Sequence, residues 1–122
     1  MAKCIMVVDD SATVRESLCV TLNEAGYRTL PAHDGVEALA KLAGEKVDMF
    51  ISDFHMPKLD GLGFLEAVRH NPQSRFIPFV MLSTEVTEDK KRAGKIAGAA
   101  GWMVKPFRPE QLLKVVRILI GN

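Results

Sequence analysis

A chain of 122 residues with 48% hydrophobic and 25% charged side chains has the mixture of a folded globular domain, not of a disordered segment. Its formal net charge of +1 lacks the basic excess of a dedicated nucleic-acid binder, and no stretch approaches the ~20 apolar residues of a membrane span. The two cysteines are expected as free thiols of a reducing compartment; without a signal-peptide pattern, the expectation is one cytoplasmic domain over residues 1–122.

Residues 4–8 are apolar on both faces, the pattern of a central strand covered by helices on both sides. The run ends in Asp9-Asp10. Ser11 is placed to cap a helix whose Val14, Leu18, Leu22 and Ala25 recur on one face, and Gly26 suits its C-terminal end. Tyr27 to Ala32 predicts a second strand; Pro31 has no N–H for a ladder, so this strand belongs at an edge. Asp34-Gly35-Val36-Glu37 has capping-box spacing and opens a short helix through Ala38, Leu39 and Leu42. Val47 to Ser52 predicts the third strand, ending at Asp53.

After a loop containing Pro57 and Asp60-Gly61, the spacing of Leu62, Leu65, Ala67 and Val68 predicts a helix up to Asn71-Pro72. Phe79 to Leu82, entered through Pro78, is the fourth strand and stops at Ser83-Thr84. Glu88 to Ala100 has helical character but contains Gly94 and Gly98, each worth about 1 kcal/mol less than alanine in a helix. Such a helix is expected to be marginal and able to shift. Trp102 to Val104 forms the fifth strand and stops at Lys105-Pro106. Pro109 fits the first position of a last helix with a buried stripe of Leu112, Val115, Val116 and Leu119.

Five strand–helix units in succession require parallel strands with right-handed crossovers. A proline-bearing edge strand fits the doubly wound α/β order 2-1-3-4-5. Strands 1 and 3 are then neighbours at the switch point, and Asp9, Asp10, Asp53, Ser83 and Lys105 gather along one edge. Three crowded carboxylates repel each other unless a cation is near, and an all-oxygen set with room for water favours Mg²⁺ over zinc. Such an ion polarises a phosphoryl group while Lys105 holds another of its oxygens. A carboxylate not spent on the metal attacks phosphorus to form an aspartyl phosphate. Asp53 stands alone at its strand end, unlike the Asp9-Asp10 pair, and is the expected nucleophile; Ser83 is placed to donate to the phosphoryl oxygens.

Asp9-Asp10 after an apolar strand, Asp53 with Met56-Pro57 and Asp60-Gly61, Ser83-Thr84, and Lys105-Pro106-Phe107 together resemble the receiver domains of two-component response regulators. The likeness runs from Lys3 to the last helix. Gly98-x-x-Gly101-Trp102-x-Val104-Lys105-Pro106-Phe107 is similar to the stand-alone CheY type, which has no output domain after it. The resemblance implies a flavodoxin/CheY-like fold and a phosphorylation-activated switch of a two-component or chemotaxis pathway. Such a switch is not an enzyme beyond catalysing its own phosphorylation and dephosphorylation.

In that resemblance Asp53 takes the phosphoryl group from a histidine kinase, and Asp9, Asp10 and Asp53 hold Mg²⁺ with the backbone carbonyl of His55. Ser83 and Trp102 move as the switch, Lys105 pairs with the phosphoryl group, and the Lys105-Pro106 bond is cis. Output passes through the face of helix 4, strand 5 and helix 5 to a downstream protein, such as a flagellar motor switch component. The chain is expected to be a monomer, with neither nucleic acid nor membrane as partner. Two positions depart from the usual pattern. Trp102 replaces a more usual tyrosine or phenylalanine, and its bulk argues against an easy inward rotation. His55 occupies a variable position that tunes hydrolysis.

A phosphorelay intermediate, passing the group to a histidine phosphotransfer domain, uses the same chemistry. A haloacid-dehalogenase-type phosphohydrolase would want a second acid two residues after the nucleophile, where this chain has His55. Flavin binding would set a phosphate against Asp9-Asp10, which repel it. The glycines at 61 and 63 and at 94, 98 and 101 lack the strand-to-helix context of a nucleotide fingerprint. His33 and His70 are expected at the surface. Lys90-Lys91-Arg92 with Lys95, Lys114 and Arg117 is a solvated face that falls on the expected docking surface.

Overall fold

The computed structural model describes residues 2–121. Strands and helices alternate along the chain: β1 (Cys4–Val8), α1 (Ala12–Glu24), β2 (Arg28–Ala32), α2 (Gly35–Leu42), β3 (Met49–Asp53), α3 (Gly61–His70), β4 (Phe79–Ser83), α4 (Glu88–Ala97), β5 (Gly101–Val104) and α5 (Pro109–Ile120). The sheet order is β2-β1-β3-β4-β5, and every neighbouring pair is parallel. Pro31 lies in the edge strand opposite Val7.

Successive side chains on a strand point to opposite faces, and here each face has its own core. Ile5, Val7, Met49, Ile51, Val80 and Leu82 pack against Leu18 and Leu22 of α1 and Leu112 and Val116 of α5. Met6, Val8, Phe50, Phe79 and Met81 pack on the other face against Ala38 of α2 and Phe64, Leu65 and Val68 of α3. The Phe50 and Phe64 rings meet edge-on with centroids 5.7 Å apart. Burial of a large apolar side chain contributes about 1.5–3 kcal/mol, so the two cores hold the strands in register and leave only their ends for chemistry.

Several details differ from the sequence reading, among them the start of β5 at Gly101 and not Trp102. Tyr27 precedes β2: Gly26 takes φ +96°, and the Tyr27 hydroxyl donates to the Gly121 carbonyl at 2.8 Å, tying the end of α5 down. The third strand begins at Met49 and includes Asp53. The capping box at α2 is displaced by one residue. Asp34 accepts the Glu37 N–H at 2.8 Å, but the Glu37 carboxylate reaches the His33 N–H, not that of Asp34.

The helix at α4 also differs from expectation. It stops at Ala97, and Gly98, with φ +106°, is its left-handed C-cap. Gly98 therefore ends the helix where it was expected to weaken it. Only Gly94 of α4 is buried. Arg69 of α3 fastens the C-terminal end instead, donating to the carbonyls of Gly98 (2.8 and 3.3 Å), Ile77 (2.7 Å) and Ser74 (3.3 Å).

Candidate functional site

The carboxyl ends of β1, β3, β4 and β5 meet along one rim. Asp9 follows β1 and is held by its own backbone: its N–H donates to the Ala32 carbonyl at 3.1 Å, and its carbonyl accepts from Arg15 Nη1 at 2.7 Å. Its Oδ1 accepts the Ser11 N–H at 2.9 Å, while Ser11 caps α1 through Val14. The side chain is thereby turned inward to 0% exposure. Asp10, the next residue, is exposed.

Asp53 closes β3 and is 5% exposed. The following loop folds back on it, with the Gly61 N–H donating to the Phe54 carbonyl at 2.9 Å. A Cβ at Gly61 would strike the Asp53 carbonyl oxygen and lie 2.8 Å from Phe54 Cα, so only glycine permits this approach. Lys105 is aligned by its N–H, which donates to the Ser83 carbonyl at 2.7 Å, and the Lys105–Pro106 peptide is cis. Its Nζ lies 2.9 Å from Asp9 Oδ2 and 3.3 Å from Asp53 Oδ1. Asp9, Asp10 and Asp53 each present a carboxylate oxygen within 4.8 Å of the others.

The charges at this rim are not balanced. Burial, then the Asp9 carboxylate, raise the Asp53 carboxyl from its ordinary 3.8 to about 6, against the opposing pull of Lys105 and a hydrogen bond from the His55 N–H. Burial pulls the Lys105 ammonium down, but Asp9 and Asp53 outweigh it and leave its pKa raised. Lys105 Nζ, 2.9 Å from Asp9 Oδ2, is the ion-pair partner of this buried oxygen, so one ammonium serves two buried carboxylates. One positive charge against the Asp9, Asp10 and Asp53 carboxylates leaves an excess of negative charge that is costly unless a further cation completes it. The all-oxygen donor set, crowded and under-neutralised, fits a hard divalent ion.

Ser83 ends β4 on the same rim, 1% exposed, but its hydroxyl is engaged elsewhere. It donates to the Glu85 carbonyl at 2.6 Å and accepts from Trp102 Nε1 at 2.8 Å. Trp102 is half-buried with its indole turned toward Ser83. Its ring packs on Phe54 with centroids 5.3 Å apart, and room exists because residue 94 is glycine: a Cβ there would lie 2.8 Å from Trp102 Cζ3. His55 has an exposed side chain, with Nε2 3.2 Å from Lys90 Nζ. His33 and His70 are exposed and bonded locally, to Glu37 and the Glu66 carbonyl. Lys91 and Lys95 flank a groove of about 170 Å³ beside Trp102 and Gly101.

Several contributors escaped the sequence reading: Arg15 behind Asp9, Gly61 beneath Asp53, Gly94 under Trp102 and Lys90 beside His55. Asp60-Gly61 was visible as a turn and the basic run as a charged face. The contacts they make join residues far apart in the chain, and periodicity carries no signal for them.

Comparison with known proteins agrees with the geometry. The model of the response regulator receiver domain matches residues 5–117. Response regulator MprA of Mycobacterium ulcerans is 40% identical over 116 residues, which are 95% of this chain and 49% of that protein. The chain thus spans about half the length of the curated relatives it matches. Chemotaxis protein CheY4 of Vibrio cholerae superposes with a TM-score of 0.95 at 44% identity, covering 98% of this chain and 99% of that one. A response regulator of Chloroflexus aurantiacus superposes at 0.93 with 33% identity over the whole of both chains. The three-carboxylate rim with its lysine, carried on a β2-β1-β3-β4-β5 sheet, is therefore that of a known family, and this chain belongs to the response regulator receiver domains.

Proposed function

We propose that this receiver domain is a phosphorylation-controlled switch in which Asp53 accepts a phosphoryl group from a histidine kinase in the presence of Mg²⁺. The observation that supports this most directly is the Asp53 carboxylate, 5% exposed and 3.3 Å from the Lys105 ammonium, which it shares with the buried Asp9 carboxylate. Asp9, Asp10, Asp53 and the backbone carbonyl of His55 would hold the ion. When bound, it supplies Lewis-acid neutralisation of the charge that develops on a transferring phosphoryl group.

The chain's own residues do the rest. An Asp53 carboxylate oxygen attacks phosphorus, and the bond from phosphorus to the donor's histidine nitrogen breaks, the bonding pair leaving with nitrogen. Lys105 moves its charge from the two carboxylates toward a phosphoryl oxygen. Ser83 exchanges its bonds to Glu85 and Trp102, worth about 0.5–1.5 kcal/mol each, for one to a phosphoryl oxygen, worth about 1.5–3 kcal/mol. These nearly cancel, so the charge-assisted contact of Lys105 with the phosphoryl group supplies the bias between the two states. Losing Ser83 as acceptor frees the Trp102 indole beneath α4, which carries the change to α4, β5 and α5. On that face Val104 and Ile118 are 45% and 72% exposed beside the basic residues.

Similarity to chemotaxis protein CheY4 across nearly its whole length favours a chemotaxis role with a flagellar motor switch component as the downstream partner, in the cytoplasm. Acetyl phosphate with Mg²⁺ is expected to add one phosphoryl mass to the wild type and none to Asp53→Asn by intact-protein mass spectrometry. Equal labelling of both proteins removes Asp53 as acceptor.

A further inference from the structure

Arg15 is a second cation beside the acidic rim, yet its hydrogen bond goes to the main chain. The ammonium that pairs with Asp9 and Asp53 is that of Lys105. Arg15 is half-buried and donates through Nη1 to the Asp9 carbonyl at 2.7 Å. Its own N–H donates to the Ser11 carbonyl at 3.0 Å, so the side chain starts from the first turn of α1. A guanidinium carries five donors and suits a carboxylate well. Aimed at a carbonyl, it leaves the carboxylate oxygens free for a metal ion.

A peptide unit is planar, so a bond to the Asp9 carbonyl oxygen also fixes the direction of the Asp10 N–H and the place of the Asp10 Cα. The next plane is fixed too, because the Ser11 N–H donates to Asp9 Oδ1 at 2.9 Å. Asp10 thus stands between two pinned planes. The Asp9 carboxylate is held by Ser11 and Lys105. Asp10 is exposed, with no hydrogen bond or ion pair to its carboxylate among the described residues, and still one of its oxygens lies within 4.8 Å of those of Asp9 and Asp53. The backbone alone brings it there. We propose that Arg15 is a positioning residue that sets the Asp10 carboxylate for Mg²⁺ through the Asp9–Asp10 peptide plane. This rests on the reading of the rim as a Mg²⁺ site. A guanidinium acting only through its field would do the opposite and repel a divalent cation. The two roles differ in sign.

The test titrates Mg²⁺ alone into the full chain and follows backbone amide shifts by NMR. Arg15→Met is expected to bind about tenfold more weakly than wild type, the loss usual when a hydrogen-bond partner behind a metal ligand is removed. Arg15→Lys, which can still donate to the carbonyl, is expected to recover most of the affinity. In an Asp10→Ala background, Arg15→Met is expected to cost little further. The order parameter of the Asp10 N–H is expected to be that of rigid backbone in the metal-free wild type and lower in Arg15→Met. Affinity unchanged or tighter in Arg15→Met, an equal loss with alanine at position 10, or an Asp10 amide equally ordered in both proteins overturns the proposal. A role confined to stability would lower the denaturant midpoint of Arg15→Met and leave its affinity alone. A wild type that binds no Mg²⁺ refutes the reading of the rim instead, and the Asp10 amide then decides the Arg15 contact independently.

Discussion

Replacing Asp53 by asparagine is expected to stabilise the metal-free protein at pH 8, although it removes the proposed phosphoryl acceptor. The carboxyl is held at about 6, against an ordinary 3.8, and at about 1.4 kcal/mol per pKa unit the ionised side chain costs the fold at most about 3 kcal/mol. At 5% exposure solvent screening removes little of this, but asparagine also forfeits the Lys105 pair. A net gain of about 1–3 kcal/mol is expected, which for a chain of this size is a rise in Tm of roughly 3–10 °C.

The pH dependence has a definite sign. A carboxyl raised in the folded state contributes stability that is fully present below its unfolded pKa and lost as pH rises through the folded one. The advantage of Asp53→Asn should therefore be small near 3.8, grow through 6 and level off above it. Saturating Mg²⁺ should shrink the difference, because the wild type regains a cation and the variant loses a ligand. Differential scanning calorimetry from acid to pH 8, with and without Mg²⁺, measures all of this. A variant less stable than wild type at every pH, or a gap that does not change with pH, would refute the electrostatic account.

Lys105→Met leaves two buried carboxylates without their cation; the loss is expected to be about 3–5 kcal/mol at neutral pH, and carbon-13 NMR should find the Asp53 carboxyl titrating above its wild-type value. Ser83→Ala removes the acceptor of the Trp102 indole; a loss of about 1–3 kcal/mol is expected in chemical unfolding, with a shift in emission from the chain's one tryptophan. Gly94→Ala gains about 1 kcal/mol of helix propensity, but its Cβ meets the Trp102 ring. The ring should be displaced outward, read as increased acrylamide quenching.

Much of the site could be anticipated because open parallel sheets place function at strand ends, and the ends of these strands are marked by abrupt changes from apolar to polar residues. Asp9, Ser83 and Lys105 each follow an uninterrupted apolar run, and Asp53 follows one with only Ser52 between. What could not be anticipated were contacts between separate elements. A lysine on a helix has the same local sequence whether it faces water, as Lys91 does, or folds over a neighbouring loop, as Lys90 does. Gly98 looked like an interior flaw because composition cannot distinguish the last turn of a helix from its middle. The space beside the Trp102 ring depends on Gly94, eight positions earlier and on another element.

The fastening of Arg69 to Gly98, Ile77 and Ser74 makes the two ends of α4 mechanically unequal. One end is riveted through two bonds from Arg69 to the Gly98 carbonyl, with Arg69 itself held by Ile77 and Ser74; the other is held by the exposed contacts of Lys90 and the short connection from Ser83. A ten-residue helix is a rod about 15 Å long. A tilt of roughly 10° about the riveted end carries the opposite end about 2.5 Å while the pivot stays still. Any displacement is thus amplified with distance from Arg69: a binder gripping Lys91 feels several times the stroke felt by one gripping Ile96, and where a partner takes hold decides how loudly it is told.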